Sequence, residues 1–166
     1  MRHFMPFYSN SRKDFYMIKV MFICHGNICR SPMAEFVMKD IVKKHNRQND
    51  FEIASAATSR EELGAPVYPP ARRKLLEHGI SCDGKTARQM TVEDYHYYDM
   101  IILMDNNNMR NAKRIITNDT DNKLSMLMSY TPEGGTVSDP WYTRDFDRAY
   151  DDIVRGCEGL FRYLCK

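Results

Sequence analysis

Cys24 and Arg30 are separated by five residues, His25-Gly26-Asn27-Ile28-Cys29, and Ser31 follows at once. A thiol first, a guanidinium last and a flexible Gly-Asn between them suit a loop that grips a tetrahedral anion over a nucleophile. Five residues let the backbone curl round one dianion with its N–H groups turned inward, beside a helix N-terminus. Such a cradle and an adjacent cation favour the thiolate, which is the nucleophilic form of cysteine. The planar fork of Arg30 can return to the mouth and hold two oxygens at once, a geometry an ammonium does not match. Gly26 and Asn27 tolerate positive φ, as a loop with converging amides requires. Ser31 can donate a hydrogen bond to the sulfur, both as nucleophile and as leaving group. The chemistry implied is attack on a bound phosphoryl or arsenyl centre.

The same residues admit plainer readings. Cys24 and Cys29 could be a structural metal pair, but no Cys/His cluster elsewhere completes one at the usual spacing. They could be buried core cysteines, against which the intervening Gly-Asn argues. A nucleotide-binding loop needs Gly-Lys-Ser/Thr, which is absent.

The elements that must position the loop can be read on either side of it. An apolar run, Ile18 to Ile23, enters it as a strand over 18–24, and a helical pattern leaves it over 32–46, with Pro32 in the first turn. Farther on, the pattern predicts a strand over 51–55, a loop over 57–68 and a helix over 69–78 ended by Gly79. A short extended piece near 86–88 precedes a helix over 91–97, whose Thr91 and Asp94 suit an N-terminus. A buried strand over 98–104 leads to a helix capped by Asp105 and running to about Thr117. A last strand over 123–128, a long loop over 129–141 and a closing helix over 143–164 complete the chain. Strands alternating with helices make an α/β fold, a parallel sheet of four strands with helices on both faces. The loop then lies at the carboxyl ends of the strands, where such sheets bind ligands.

Composition excludes several classes. The 166 residues are 43% hydrophobic and 28% charged with a net charge of +2, which favours neither nucleic acid nor a membrane surface. No apolar run approaches the ~18 residues of a membrane span. Five cysteines, two of them in the loop, suit a reducing cytoplasm rather than a disulfide scaffold. Residues 1–16 have no continuous apolar core and read as an extension, ill-ordered or added, ahead of a single domain over 17–166.

The loop in context, "VMFICHGNICRSPMAEFVMKD" (20–40), resembles the start of a low-molecular-weight protein tyrosine phosphatase. The resemblance continues in "IASAATS" (53–59), "GAPVYPPARRKLLEHGI" (64–80), "TARQMTVEDYHYYDMIILMDNNNMRN" (86–111) and "VSDPWYTRDFDRAYDDIVRGCEGLFRYL" (137–164), in the family's order. It implies a three-layer α/β/α, phosphatase-I-like fold with strand order 2-1-3-4. It also implies that Cys24 is the nucleophile, that Arg30 and the loop from His25 to Ser31 hold the phosphate, and that Asp139 is general acid and then base. An isolated Asp-Pro would read as an ordinary turn. Asn27 resembles the family's left-handed asparagine, with Ser31, Ser55 and His78 as its hydrogen-bond partners. Trp141 and Tyr142 resemble an aromatic wall for a phosphotyrosine ring. Cys29 resembles a redox partner that forms a reversible disulfide with the nucleophile. The expected substrates are phosphotyrosine proteins, with a cognate tyrosine kinase as partner. No cofactor or metal is expected, and the molecule is expected as a monomer or weak dimer in the cytoplasm.

Departures from the pattern bear on specificity. His25 stands where the family has a small or apolar residue, Ala56 where it has glycine, and Arg60-Glu61-Glu62 make one wall of the cleft charged. Two catalytic rivals share the loop. An arsenate reductase of this fold needs two further relay cysteines after the third strand, where this chain has Leu103-Met104-Asp105-Asn106. A phosphoarginine phosphatase resembles it more closely but carries a threonine at the position of Ile28. A non-catalytic phosphate-binding module would not need Cys24, Arg30 and Asp139 together.

Overall fold

Alternate residues of the first strand serve two different cores, and that division organises the molecule. The computed structural model describes residues 16–166. Its elements are β1 (Ile18–Cys24), α1 (Arg30–Lys44), β2 (Phe51–Ala57), α2 (Pro69–Glu77), α3 (Val92–Tyr97), β3 (Met100–Leu103), α4 (Asn106–Ile115), β4 (Leu124–Met126), α5 (Pro140–Thr143) and α6 (Phe146–Leu164). Val20, Phe22 and Cys24 of β1 join the cluster that includes Met33, Val37 and Met38 of α1 and Ile153, Cys157 and Leu160 of α6. Met21 and Ile23 join a second cluster with Tyr95 of α3 and Ala112 of α4. A strand buried on both faces reads as a continuous apolar run, and that is how 18–24 looks in the sequence.

The sheet is parallel throughout, in the order β2-β1-β3-β4. Ile18–Cys24 pair with Phe51–Ala57 on one side, and Val20–Ile23 pair with Met100–Leu103 on the other. Helices α1, α2 and α6 pack together on one face, with α3 and α4 on the other. This is the expected three-layer architecture and strand order. Among the described residues no helix is long and apolar enough to cross a membrane.

The boundaries differ where local hydrogen bonding overrides pattern. Helix α1 starts at Arg30 rather than Pro32, because Cys29 takes the N-cap position. Pro32 therefore sits third in the helix, where a missing N–H still costs no intrahelical bond. Strand β3 begins two residues later than expected, because Asp99 turns its carboxylate back to the N–H of Lys19 at 2.9 Å and to the hydroxyl of Tyr16. Tyr16 was expected in the extension, yet it makes this contact; residues 1–15 lie outside the described residues. The long loop after β4 holds a 3-10 turn, Leu127–Tyr130, and the single turn α5. Helix α6 starts at Phe146 because the side chain of Asp145 accepts from the N–H of Arg148.

Helix α6 approaches that 3-10 turn through two glycines. A Cβ on Gly159 would stand 2.0 Å from the carbonyl oxygen of Tyr130, and one on Gly156 would stand 2.5 Å from Leu127 Cγ. Backbone cannot yield as a side chain does, so Gly159→Ala should cost about 1–3 kcal/mol despite alanine's better helix propensity. Urea denaturation of the variant checks this; a midpoint at or above that of the parent would contradict the packing described.

Candidate active site

The loop leaves β1 at Cys24 and enters α1 at Arg30, and its carbonyls are held by other segments. The oxygens of Cys24, His25 and Ile28 accept from the N–H groups of Thr58, Ser59 and Tyr68 at 2.9, 3.0 and 2.9 Å. With those carbonyls bonded outward, the amides are turned toward the sulfur, and the N–H of Asn27 lies 3.3 Å from Cys24 Sγ. No side chain caps the N-terminus of α1, which leaves its first N–H groups free for an anion. Asn27 holds φ at 58°, in the left-handed region as expected. Gly26 does not, which corrects the expectation for it. What the structure places at Gly26 instead is the Glu62 side chain, with Cγ 3.4 Å from where a Cβ would stand.

A buried chain of hydrogen bonds runs from the sulfur into the protein. Cys24 Sγ lies 3.0 Å from Ser31 Oγ. Asn27 Nδ2 donates to Ser31 Oγ at 2.8 Å and to Ser55 Oγ at 2.9 Å, while its Oδ1 accepts from the N–H of Arg88 at 3.3 Å. Ser55 donates to Glu35 Oε1 at 2.6 Å. The N–H of Arg88 on Oδ1 orients the Asn27 amide, whose NH2 only donates, and the Glu35 carboxylate only accepts, so between them they fix the direction of every bond in the chain. Ser55 must donate to Glu35, Ser55 and Ser31 must both accept from Asn27, and the Ser31 hydrogen is left for the sulfur. Its rival acceptor, the carbonyl of Ala56, is farther away at 3.4 Å.

Glu35 is 4% exposed and is paired with Lys39 at 2.6 Å and Lys85 at 3.3 Å. Burial pulls the Lys85 ammonium below its ordinary range, and the charge of Glu35 opposes that pull. Lys85 also donates to the carbonyl of Ser55 at 2.8 Å. His78, expected among the partners of the loop, is elsewhere. Its exposed ring, at the end of α2, stacks on Tyr150 with centroids 4.4 Å apart. Gly79 ends the helix at this point and turns the chain away, so the polar position beside Ser55 falls to Lys85.

Arg30 is 3% exposed and carries three partners: Asp105 Oδ2 at 2.7 Å, the carbonyl of Val137 at 3.1 Å and Asp139 Oδ2 at 3.2 Å. Burial works against its charge, but Cys24, Asp105 and Asp139 together hold the guanidinium above its ordinary range. The Asp139 carboxylate also accepts from the N–H of Trp141 at 3.0 Å as the N-cap of α5. Cys24, Arg30, Asp105, Asp139, Trp141 and Tyr142 line one cleft of about 480 Å³, with Glu61 and Glu62 on its rim. Trp141 and Tyr142 are 42% and 83% exposed. His25 Nε2 lies 2.9 Å from Glu61 Oε2, so the unusual residue of the loop ties it to the charged segment.

Sequence reasoning missed Glu35, Lys85, Arg88 and Asp105 as members of this site. Glu35 follows Ser31 by one helical turn, so a carboxylate on the buried face of α1 was its available signal. From the sequence Asp105 reads only as a cap. It does accept from the N–H of Asn108, but its other oxygen takes Arg30. Lys85 has no signal in its own spacing. The remaining cysteines are apart from this chemistry: Cys82 and Cys157 are buried in the core, and all five are free thiols.

Comparison with known proteins agrees with this fold. The model of the family described as low molecular weight phosphotyrosine protein phosphatase matches residues 19–166. A low molecular weight phosphotyrosine protein phosphatase of Gallus gallus is 38% identical over 146 residues, 85% of this chain and 92% of that protein. The crystal structure of YfkJ from Bacillus subtilis superposes with a TM-score of 0.87 at 33% identity, covering 90% of this chain and 95% of that one. That of a drosophila arginine phosphatase gives 0.82 at 29% identity, covering 90% and 99%.

The two loop cysteines should differ in reactivity. Burial, with the charges of Cys24 and Asp139, pushes the Cys29 thiol up to about 12, against the opposing pull of Arg30 and Arg144. At pH 7, iodoacetamide should alkylate Cys24 and leave Cys29 intact, as peptide mass spectrometry would read. The same shift makes the folded state bind a proton that the unfolded chain releases from about pH 9 upward. Stability from this thiol is therefore complete below that pH and is lost above it, by about 1.4 kcal/mol per pH unit at most. Cys29→Ala should flatten that alkaline slope in urea titrations.

Proposed function

Because the chain belongs to the low molecular weight phosphotyrosine protein phosphatase family, we propose that it hydrolyses phosphotyrosine in proteins, and small aryl phosphates, through a phosphocysteine on Cys24. The observation that carries the roles is the meeting of Cys24, Arg30 and Asp139 at the carboxyl ends of the strands, with Ser31 aimed at the sulfur. The Cys24 thiolate attacks phosphorus in line, an S–P bond forms and the P–O bond to the tyrosyl oxygen breaks. Arg30 and the amides of residues 25–31 stabilise the equatorial oxygens as charge develops. Asp139 gives its proton to the departing phenolate. Water then attacks the phosphocysteine, Asp139 takes the proton, the S–P bond breaks and inorganic phosphate leaves with the thiolate restored. The loop bonds that turn Ser31 toward the sulfur serve both steps, because the same sulfur is nucleophile first and leaving group second.

Trp141 and Tyr142 flank the aryl ring, and the depth of the cleft favours a long phenol over phosphoserine. The substrates are phosphoproteins, and a tyrosine kinase supplies them. Peroxide converts the Cys24 thiolate to a sulfenic acid with loss of hydroxide. The Cys29 thiol then displaces water from that sulfur to give a disulfide that thiols reduce. Oxidation of Cys24 removes the neighbouring charge that helps hold the Cys29 proton, which favours this second step.

Phosphoarginine is the second reading. Glu61 and Glu62 put two carboxylates on the rim, where a phosphorylated guanidinium would find acceptors. Ile28, apolar where that subtype resembles threonine, favours tyrosine.

With EDTA present, the wild type should hydrolyse p-nitrophenyl phosphate and Cys24→Ser should not; robust activity of the serine variant would defeat the mechanism. Asp139→Asn should lower turnover of phosphotyrosine peptides by about 10²–10⁴. Phosphotyrosine and phosphoarginine peptides compared at equal concentration decide the substrate, and preference for the latter would reverse the argument from Ile28.

A further inference from the structure

Four non-glycine residues have positive φ among those described, and three of them are asparagines, Asn27, Asn46 and Asn122. The fourth is Arg144, at φ 59° and ψ 10°. Asparagine eases the left-handed region with its short polar side chain, whereas arginine has no such relief. Strain of this kind persists only where surrounding contacts hold it. Arg144 ends α5, the single turn that starts at Asp139, and its N–H closes that turn on the carbonyl of Pro140 at 2.9 Å.

The contacts that hold it point to the general acid. Arg144 Nη1 donates to the hydroxyl of Tyr68 at 3.2 Å, and its guanidinium lies 5.5 Å over the Trp141 ring. The rings of Tyr68 and Trp141 are 5.1 Å apart. Tyr68 in turn donates its N–H to the carbonyl of Ile28, inside the phosphate loop, at 2.9 Å. One continuous path therefore joins the loop to the turn: Ile28, Tyr68, then Arg144 with Trp141, then the N–H of Trp141 on Asp139 Oδ1. The other oxygen of Asp139 is held by Arg30.

That second restraint cannot last through the reaction. Arg30 must turn its fork to the phosphoryl oxygens when a dianion enters, and Asp139 must carry a proton when the aryl oxygen leaves. Its position then depends on the α5 turn alone. We propose that Arg144, braced on Tyr68 and Trp141, is a positioning residue that keeps Asp139 in reach of the leaving oxygen once Arg30 has turned to the phosphate. The proposal rests on the phosphatase reading above. It goes beyond that reading by naming the residue that sets the acid rather than the acid itself. Neither Arg144 nor Tyr68 lines the cleft; both act through the turn.

The effect should depend on the leaving group. Tyrosine-like phenols, with a pKa of about 10, need the proton, whereas dinitrophenolate departs without one. The measurement is kcat/KM, which reports formation of the phosphocysteine, for phenyl phosphate and 2,4-dinitrophenyl phosphate. Arg144→Ala, Arg144→Gly and Tyr68→Phe are compared with the wild type. Glycine keeps the left-handed turn without strain and so guards against a variant that merely fails to fold. Phenyl phosphate hydrolysis should fall by about tenfold or more in both Arg144 variants, with dinitrophenyl phosphate hydrolysis kept within about twofold. Tyr68→Phe should shift the same ratio by less. Equal losses on both substrates, or no loss on either, would overturn the role of Arg144. A wild type inactive on both substrates would overturn the phosphatase reading itself.

Discussion

The side-chain amide of Asn27 is the constraint on which the site depends. It spends both hydrogens and its oxygen on three separate segments, Ser31 at the head of α1, Ser55 in β2 and the backbone of Arg88. Those bonds hold a non-glycine residue in the left-handed region, which in turn aims its own N–H at Cys24 Sγ. A buried amide with both hydrogens and its oxygen engaged is worth more than its separate bonds, because losing one partner leaves a desolvated polar atom. The carboxylate of Glu35 then gives the assembly a direction. It takes up the Ser55 hydrogen, while the Asn27 NH2, which only donates, leaves the Ser31 hydrogen for the sulfur.

Charge is arranged with the same economy. Arg30 reaches Asp105 beyond the end of β3 and Asp139 beyond β4, while Cys24 ends β1. The ends of β1 and β3 and the α5 turn thus bring a thiol and two carboxylates to a single guanidinium. The guanidinium is balanced by two carboxylates, so any anion bound at Arg30 would have to share it with them. Asp105 and Asp139 each bind Arg30 through one oxygen and cap a helix through the other, but Asp105 holds the guanidinium more closely, at 2.7 against 3.2 Å, and caps the longer helix, so it is the more firmly fixed of the two. Asp139 rests on one turn of helix and is the more easily released.

Much of this was legible beforehand, for identifiable reasons. Strand β1 and the loop after it could be read because an apolar run, a thiol, Gly-Asn and a guanidinium occur within fourteen residues of sequence, Ile18 to Ser31. The sheet order followed once a family resemblance supplied it, since periodicity alone does not order parallel strands. Asn27 and Ser55 came with that resemblance, and His78 shows where it misled: a histidine beside the right glycine has its ring on Tyr150 instead. Lys85 was not legible because a lysine in a loop gives no hint of burial, and Asp105 because a cap explained it sufficiently. Arg144 was invisible for a different reason. Nothing in the types or spacing of Tyr142-Thr143-Arg144-Asp145 announces a left-handed arginine.

The double membership of β1, with alternate residues in two cores, has a consequence for how this protein can vary. Cys24 is at once the last residue of the central strand and a member of the larger apolar cluster. Its sulfur is anchored in a strand buried on both faces, so the cradle around it shares the cooperativity of the core. The residues on the rim of the cleft, at 61–62 and 141–142, belong to segments outside the sheet. Such a molecule can exchange its rim by small local changes without disturbing its chemistry. It can hardly alter its chemistry without renegotiating its stability.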